Sequence, residues 1–150
     1  MKTSESINMF LNQQHMAVVG VSRNKNKFGN AVYHILKKKG IKVVPVNPHL
    51  THFEGEKCYS NIETLPTDVT AIFVNIPPEK TIRVVESAYN KGIHHIWLQQ
   101  GSTNDEVINY LKGKDVNYIS DRCIMMFAEP VKSFHRFHRF LSKATGNFPQ

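Results

Sequence analysis

"VVGVSRNKNKFG", residues 18–29, combines the end of an apolar run with a glycine-bounded loop that contains three cations. Because Gly20 and Gly29 carry no Cβ atom, backbone amides at the start of a following helix can approach an anion closely. A dinucleotide-binding loop has a further glycine where this chain has Ser22, and its GxGxxG pattern is shorter. The stretch therefore predicts a phosphate-binding turn that is looser and more basic than a dinucleotide loop.

The polar side chains of this loop suit a phosphorylated ligand. A serine hydroxyl can donate to a phosphate oxygen, and Arg23, Lys25 and Lys27 can neutralise charge that backbone amides leave unpaired. The alternative is an ordinary surface loop, because a glycine-containing turn with basic residues also occurs in many unrelated proteins.

Five short apolar runs rich in Val and Ile predict buried strands, at residues 16–21, 42–46, 70–76, 95–98 and 116–119. Segments with helical periodicity separate most of them, and a short helix is expected to start near Ser60. The predicted fold class is α/β, a Rossmann-like open, mainly parallel five-stranded sheet with helices on both faces. Ligands of such sheets bind beyond the carboxyl ends of the strands.

Length and composition predict a single domain. The chain has 150 residues, of which 41% are hydrophobic and 21% are charged. Residues 1–15 are expected to form an N-terminal extension or helix, and residues 130–150 a C-terminal helical tail. No signal peptide or membrane span is recognisable, so we expect a cytoplasmic protein with no membrane partner.

The end of the second predicted strand lacks the acidic residue of an NAD-binding domain. Asn47 and Pro48 follow that strand, where Asp or Glu would hold the ribose hydroxyls. Asn47 can bond a ribose or an adenine edge, and Pro48 offers a flat apolar surface. Without a carboxylate to repel it, a phosphorylated ribose becomes an acceptable ligand group.

Together these segments resemble the small bacterial and archaeal CoA-binding proteins, relatives of the N-terminal domain of the succinyl-CoA synthetase α-subunit. The resemblance continues from the loop through "GEKCYSNIETLP", "VNIPPEKT", "WLQQGSTNDE" and "DRCIMM", and so covers about residues 18–126. It implies a Rossmann-like domain that binds coenzyme A or an acyl-CoA, with the diphosphate on the Gly20–Gly29 loop and the adenosine end near Asn47 and Pro48.

The resemblance also implies a set of binding residues. Gly20, Ser22, Lys27 and Gly29 occupy matching positions, and the residues after the third strand would border the ligand. Ile76 and Pro77 are also consistent with a plain strand end and helix start, whereas the glutamines before Gly101 could be caps or ligand donors, with Ser102 or Thr103 capping the next helix. The candidate cofactor-binding residues are Gly20, Val21, Ser22, Arg23, Lys27, Gly29, Asn47, Pro48, Ile76, Pro77, Gln100 and Gly101.

The sequence permits three other interpretations. Nineteen Lys and Arg against twelve Asp and Glu give a net charge of +7, which attracts anions, but no nucleic-acid motif is recognisable and a small anionic ligand fits better. An NADP-dependent reductase could use the same cleft. A metal site at His135 and His138 with Cys123 lacks a full ligand set, so this segment is expected to be an amphipathic helix that packs on the body, a second copy or a protein partner.

No catalytic motif is present in the sequence: there is no GxSxG elbow and no P-loop. Cys58 and Cys123 have no CxxC spacing and are expected to be small, partly buried thiols. The sequence therefore favours a binding module over an enzyme, with coenzyme A as its cofactor and no metal.

Overall fold

The computed structural model describes residues 3–128. Its strands are β1 (His15–Val19), β2 (Lys42–Val46), β3 (His52–Phe53), β4 (Glu56–Lys57), β5 (Ala71–Val74), β6 (His95–Gln99) and β7 (Asn117–Arg122). Its helices are α1 (Thr3–Leu11), α2 (Phe28–Lys38), α3 (Pro78–Asn90), α4 (Asp105–Leu111) and α5 (Met125–Ala128).

Five strands form one open sheet with the order β2-β1-β5-β6-β7, and every neighbouring pair is parallel. All five correspond to the five apolar runs, which confirms the α/β, Rossmann-like prediction. The three central strands, β1, β5 and β6, are buried on both faces, which is why their runs are continuously apolar and do not alternate with polar residues.

Each face of the sheet has its own core. Along β1, Met16 and Val18 point to the core beneath α1, α2 and α5, whereas Ala17 and Val19 point to the core beneath α3 and α4. On the first face the rings of Phe10 and Trp97 meet edge to face, with centroids 5.5 Å apart. Helices therefore cover both faces, as predicted.

The strand ends meet at one level where the chain changes direction. Val19, the last residue of β1, is opposite Val46 of β2 on one side and Val74 of β5 on the other. From β1 the chain runs through α2 to the edge strand β2, and from β5 it runs through α3 to β6, toward the opposite edge. Adjacent strands that lead in opposite directions leave a crevice between their following loops, which is the usual ligand site of this architecture.

The connection from β2 to β5 differs from the prediction. Strands β3 and β4 form a two-stranded hairpin whose turn residues Glu54 and Gly55 both have positive φ, 51° and 83°, as in a type I′ turn. The short helix expected near Ser60 does not form, and that segment consists of turns and bends. The Asn61 side chain accepts from Thr64 N at 3.0 Å, as a helix cap does, but Pro66 disfavours helical geometry at Leu65, so this turn does not extend into a helix.

The two ends of the chain differ in what can be described. Helix α1 lies within the predicted N-terminal segment, residues 1–15. The predicted helix at residues 130–150 lies outside the described residues. Within residues 3–128, no helix combines the length and apolar character needed to cross a membrane.

Candidate functional site

A cleft of about 800 Å³ lies over the carboxyl ends of β1, β2 and β5, at the change of direction described above. Its size is within the usual range for ligand pockets. Nine of the twelve predicted binding residues line it: Gly20, Val21, Ser22, Lys27, Asn47, Pro48, Ile76, Pro77 and Gly101. Arg23, Gly29 and Gln100 do not line it.

A buried asparagine holds the loop that follows β1. The side chain of Asn30 accepts a hydrogen bond from Ser22 N and donates one to Ser22 O, both at 2.8 Å. The hydroxyl oxygen of Ser22 accepts from Asn24 N at 3.1 Å, so its own hydrogen remains available to a ligand. Asn30 is not among the predicted binding residues. Its only indication in the sequence is that it is a polar residue next to Gly29, on the side of the helix that is buried.

The two glycines of the loop are required for different structural reasons. Gly20 has a φ of +129°, and a Cβ atom there would collide with the backbone oxygen of Asn75. Gly29 is buried in the first turn of α2, and a Cβ atom there would collide with the carbonyl of Gly20. Gly29 thus brings the start of α2 against the strand end, and its role is close packing and not lining the cleft.

The start of α2 is uncapped beside the cleft. Lys27 is the N-cap residue, and its side chain makes no capping hydrogen bond. Amides in the first turn of a helix have no partner within the helix, and the helix dipole favours an anion at this end. The exposed Lys27 lines the cleft and adds a full positive charge at this helix start.

Asn47 connects the end of β2 to the loop. Its Nδ2 donates to Val21 O at 2.7 Å, and its Oδ1 accepts from His49 N at 2.7 Å. Arg23 then reaches across the cleft edge, where its Nη2 donates to His49 O at 3.3 Å. Asn47 keeps one N–H and one lone pair for a ligand, and Arg23 acts as a brace outside the lining.

The wall beyond β5 extends farther than the sequence indicated. Ile76 and Pro77 line the cleft. Pro77 is also the N-cap residue of α3, so it both precedes the helix and forms part of the cleft wall. The lining continues along one face of α3 through Lys80, Arg83 and Ser87. Their spacing of three and four residues was visible in the sequence, but nothing there indicated which face of α3 borders the cleft.

The end of β6 contributes one buried hydroxyl. Ser102 lines the cleft beside Gly101 and is 1% exposed. Its carbonyl accepts a hydrogen bond from Thr81 Oγ1 at 2.6 Å, whereas its own Oγ has no hydrogen-bond partner within residues 3–128. An unpaired buried hydroxyl is costly, so this oxygen is poised to bond a ligand.

The other residues at this strand end are structural. Gln99 is buried, and its Oε1 accepts from Ile124 N at 3.1 Å, which ties β6 to the start of α5. The cap of α4 is Asn104, whose side chain accepts from Val107 N at 3.1 Å, and not Ser102 or Thr103 as expected.

Comparison with known proteins identifies the family. Residues 14–129 match the family described as the CoA binding domain. The chain belongs to this family.

Relatives of this CoA-binding domain include small and large proteins. The uncharacterized protein YneT of Bacillus subtilis is 29% identical over 113 residues, which cover 74% of this chain and 82% of YneT. The solved structure of a conserved hypothetical protein from Pyrococcus furiosus has a TM-score of 0.71 and 37% identity, and the match covers 75% of this chain and 97% of that one. An ADP-forming acetate–CoA ligase of Methanocaldococcus jannaschii is 28% identical over 78 residues, which are 52% of this chain and 11% of the ligase.

The cleft of this CoA-binding domain is positively charged. Its described lining includes three permanent cations, Lys27, Lys80 and Arg83, and one carboxylate, Glu63. The Ser87 hydroxyl, by hydrogen bonding, and more weakly the charge of Lys91 lower the pKa of Glu63. Glu63 is therefore ionised at neutral pH, and the lining still favours an anionic ligand.

Cys58 of the CoA-binding domain does not supply a reactive thiolate. Cys58 and Cys123 are free, and Cys58 is buried behind the end of β2. Burial raises the pKa of the Cys58 thiol, which keeps it protonated at neutral pH. Residues 3–128 contain no group of three His, Cys, Asp or Glu side chains arranged to hold a metal, and His135 and His138 lie outside that range.

Proposed function

We propose that this protein binds coenzyme A, or an acyl-CoA, in the cleft and acts as a binding module without chemistry of its own. The observation that carries the proposal is the uncapped start of α2, which borders the cleft together with the Lys27 ammonium and the Ser22 hydroxyl. Helix amides, a cation and a hydroxyl are the groups that bind a diphosphate.

The shape of the cleft supports an extended ligand. With the diphosphate at the start of α2, the adenosine end would lie near Asn47 and Pro48, and the pantetheine arm would cross Ile76 and Pro77 toward Gly101. Val19, Val21 and Val46 supply an apolar floor below it. Membership of the CoA-binding domain family supports the same ligand.

The lining groups favour binding over catalysis. Near the ends of β5 and β6 a reductase would need a proton donor beside the nicotinamide, and the cleft offers Asn75, Pro77 and the Ser102 hydroxyl there. No observation in the cleft favours the reductase or the nucleic-acid alternative over coenzyme A.

A thermal shift series tests the proposal. Because a ligand that binds only the folded state raises the melting temperature, coenzyme A should raise it most, dephospho-CoA less and NAD hardly at all. NADP belongs in the series as the competing ligand. If NADP stabilises the protein more than coenzyme A does, the reductase function replaces the proposed one.

Native mass spectrometry of the purified protein provides an independent measurement. A co-purified ligand would report its own mass, which distinguishes free coenzyme A from an acyl-CoA. A DNA gel shift that is absent at low salt would exclude the nucleic-acid alternative, because counterion release makes such binding strongest there.

A further inference from the structure

Two cations on α3 line the cleft. The side chains of Lys80 and Arg83 are exposed and make no ion pair or hydrogen bond to any residue between 3 and 128. Some other lysine side chains are engaged: Lys37 pairs with Glu56 at 3.3 Å, and Lys91 Nζ donates to Glu63 O at 3.0 Å.

These cations are separate from the phosphate-binding loop. Lys27 belongs to the start of α2, on the face of the sheet opposite to α3. Lys80 and Arg83 lie three and six residues after Pro77, about 4.5 and 9 Å along the axis of α3 at 1.5 Å per residue. They occupy a second wall, on the side toward which the proposed ligand path runs past Pro77.

A third group points to the same end of the ligand. Ser102 lines the cleft, and its Oγ is buried and has no partner within the described residues, so a ligand hydrogen bond would satisfy it. An adenosine end near Pro48 cannot use this hydroxyl, because Pro48 follows β2 and Ser102 follows β6, three strands away in the sheet. Lys80, Arg83 and Ser102 therefore form one polar wall at the pantetheine end of the cleft, which we call the α3 wall.

We propose that the α3 wall selects acyl-CoA thioesters whose acyl group ends in a carboxylate, the monothioesters of dicarboxylic acids. This inference rests on the proposed function and adds the class of acyl group to it. Arg83 and Lys80 bind the distal carboxylate, and Ser102 Oγ donates to a carbonyl oxygen of the pantetheine or thioester. Arg83 can bind a carboxylate with two parallel hydrogen bonds, which a single ammonium cannot do.

One carboxylate lines the cleft near the α3 wall. Glu63 is ionised, and it accepts a hydrogen bond from the Ser87 hydroxyl while the nearby Lys91 compensates part of its charge. Two cations against one compensated carboxylate leave a favourable field for one further negative charge.

Binding of two thioesters of equal length tests the assignment. Glutaryl-CoA and valeryl-CoA have five-carbon acyl groups and differ in the terminal carboxylate, so their affinity ratio measures the contribution of that group. By isothermal titration of the full chain at low, fixed ionic strength, glutaryl-CoA should bind about tenfold more tightly, the scale of one charge-assisted hydrogen bond. The variant R83A should reduce the ratio to near one, K80A should reduce it less, and R83K should restore part of it.

The control is K112A, which removes one positive charge from an exposed position outside the cleft. It should leave the ratio unchanged. Free coenzyme A, titrated on every variant, should bind R83A less tightly only by the small loss expected from removing one positive charge from the cleft, and measurable binding also shows that the variants fold.

Different negative results would contradict the acyl assignment and the proposed coenzyme A binding. If coenzyme A binds but the two thioesters bind equally, or if K112A lowers the ratio as much as R83A does, the acyl assignment is wrong and the proposed function stands. If R83A weakens coenzyme A but not dephospho-CoA, the α3 wall binds the ribose phosphate and the assignment is also wrong. If no CoA compound binds, both proposals fail.

Discussion

The carbonyl of Gly20 lies against the α-carbon of Gly29 so closely that no Cβ atom fits between them. This contact joins the end of β1 to the start of α2 and thereby holds the N-cap residue Lys27 beside the cleft.

Gly29→Ala should therefore destabilise the protein, although alanine is the better helix former by about 1 kcal/mol. The collision is with backbone, which cannot move cheaply, and overpacking of this kind typically costs about 1–3 kcal/mol. Urea denaturation measures the change. Gly113→Ala is the control, because its Cβ would meet open space and its cost arises only from a φ of +80°. A Gly29→Ala protein at least as stable as the wild type would contradict the packing role.

Lys27→Ala should weaken coenzyme A binding by about 1.5–3 kcal/mol, the scale of a charge-assisted hydrogen bond. It should also reduce the difference in binding affinity between coenzyme A and NAD. Lys25→Ala removes the same charge from an exposed residue of the loop that does not line the cleft, and it should have a much smaller effect. Isothermal titration measures both variants, and equal losses would show that Lys27 acts only through the general field.

Asn47→Asp should lower both stability and coenzyme A affinity. A carboxylate can still accept from His49 N, but it cannot donate to Val21 O, and a buried acceptor left unpaired costs about 1–3 kcal/mol. Its charge would also repel a phosphorylated ribose. Asn26→Asp places the same charge on an exposed loop position and serves as the control. If affinity for coenzyme A relative to NAD is equal in the two variants, Asn47 does not select the ribose.

His95 should make the protein less stable in mild acid. Burial, assisted by the neighbouring His94, lowers the pKa of His95, and its Nδ1 lies 3.3 Å from Asn117 Nδ2, an arrangement that suits the neutral ring. Because its pKa is lower in the folded than in the unfolded protein, the stability it contributes is complete above the ordinary histidine pKa of about 6.5 and is lost as the pH falls below it. His95→Gln should flatten the melting temperature between pH 7 and pH 5. A pH profile identical to that of the wild type would exclude His95 as the cause.

The order of the elements was predictable from local pattern. Strands buried on both faces must be apolar throughout, so the five runs identified the sheet, and the periodic segments between them identified α2, α3 and α4. The hairpin β3–β4 was missed because its strands have two residues each. The helix expected near Ser60 was wrong, because Pro66 disfavours helical geometry at Leu65 and the turn that Asn61 caps does not extend.

Three expectations stay predictions: the single-domain organisation, the cytoplasmic location, and the absence of catalysis. The C-terminal helix at residues 130–150, including His135 and His138, lies outside the described residues and also stays a prediction.

The sequence by itself determined the α/β class, the glycine-bounded loop and the strand ends that meet at the cleft, because strand periodicity and glycine placement are local properties of the chain. Only the tertiary structure decided which residues line the cleft. The parallel register brought Asn75 against Gly20, the crossover of α3 placed Lys80 and Arg83 along the cleft, and the packing of β6 left Ser102 Oγ buried without a partner among residues 3–128. These relationships join residues far apart in the chain, and no local pattern contains them.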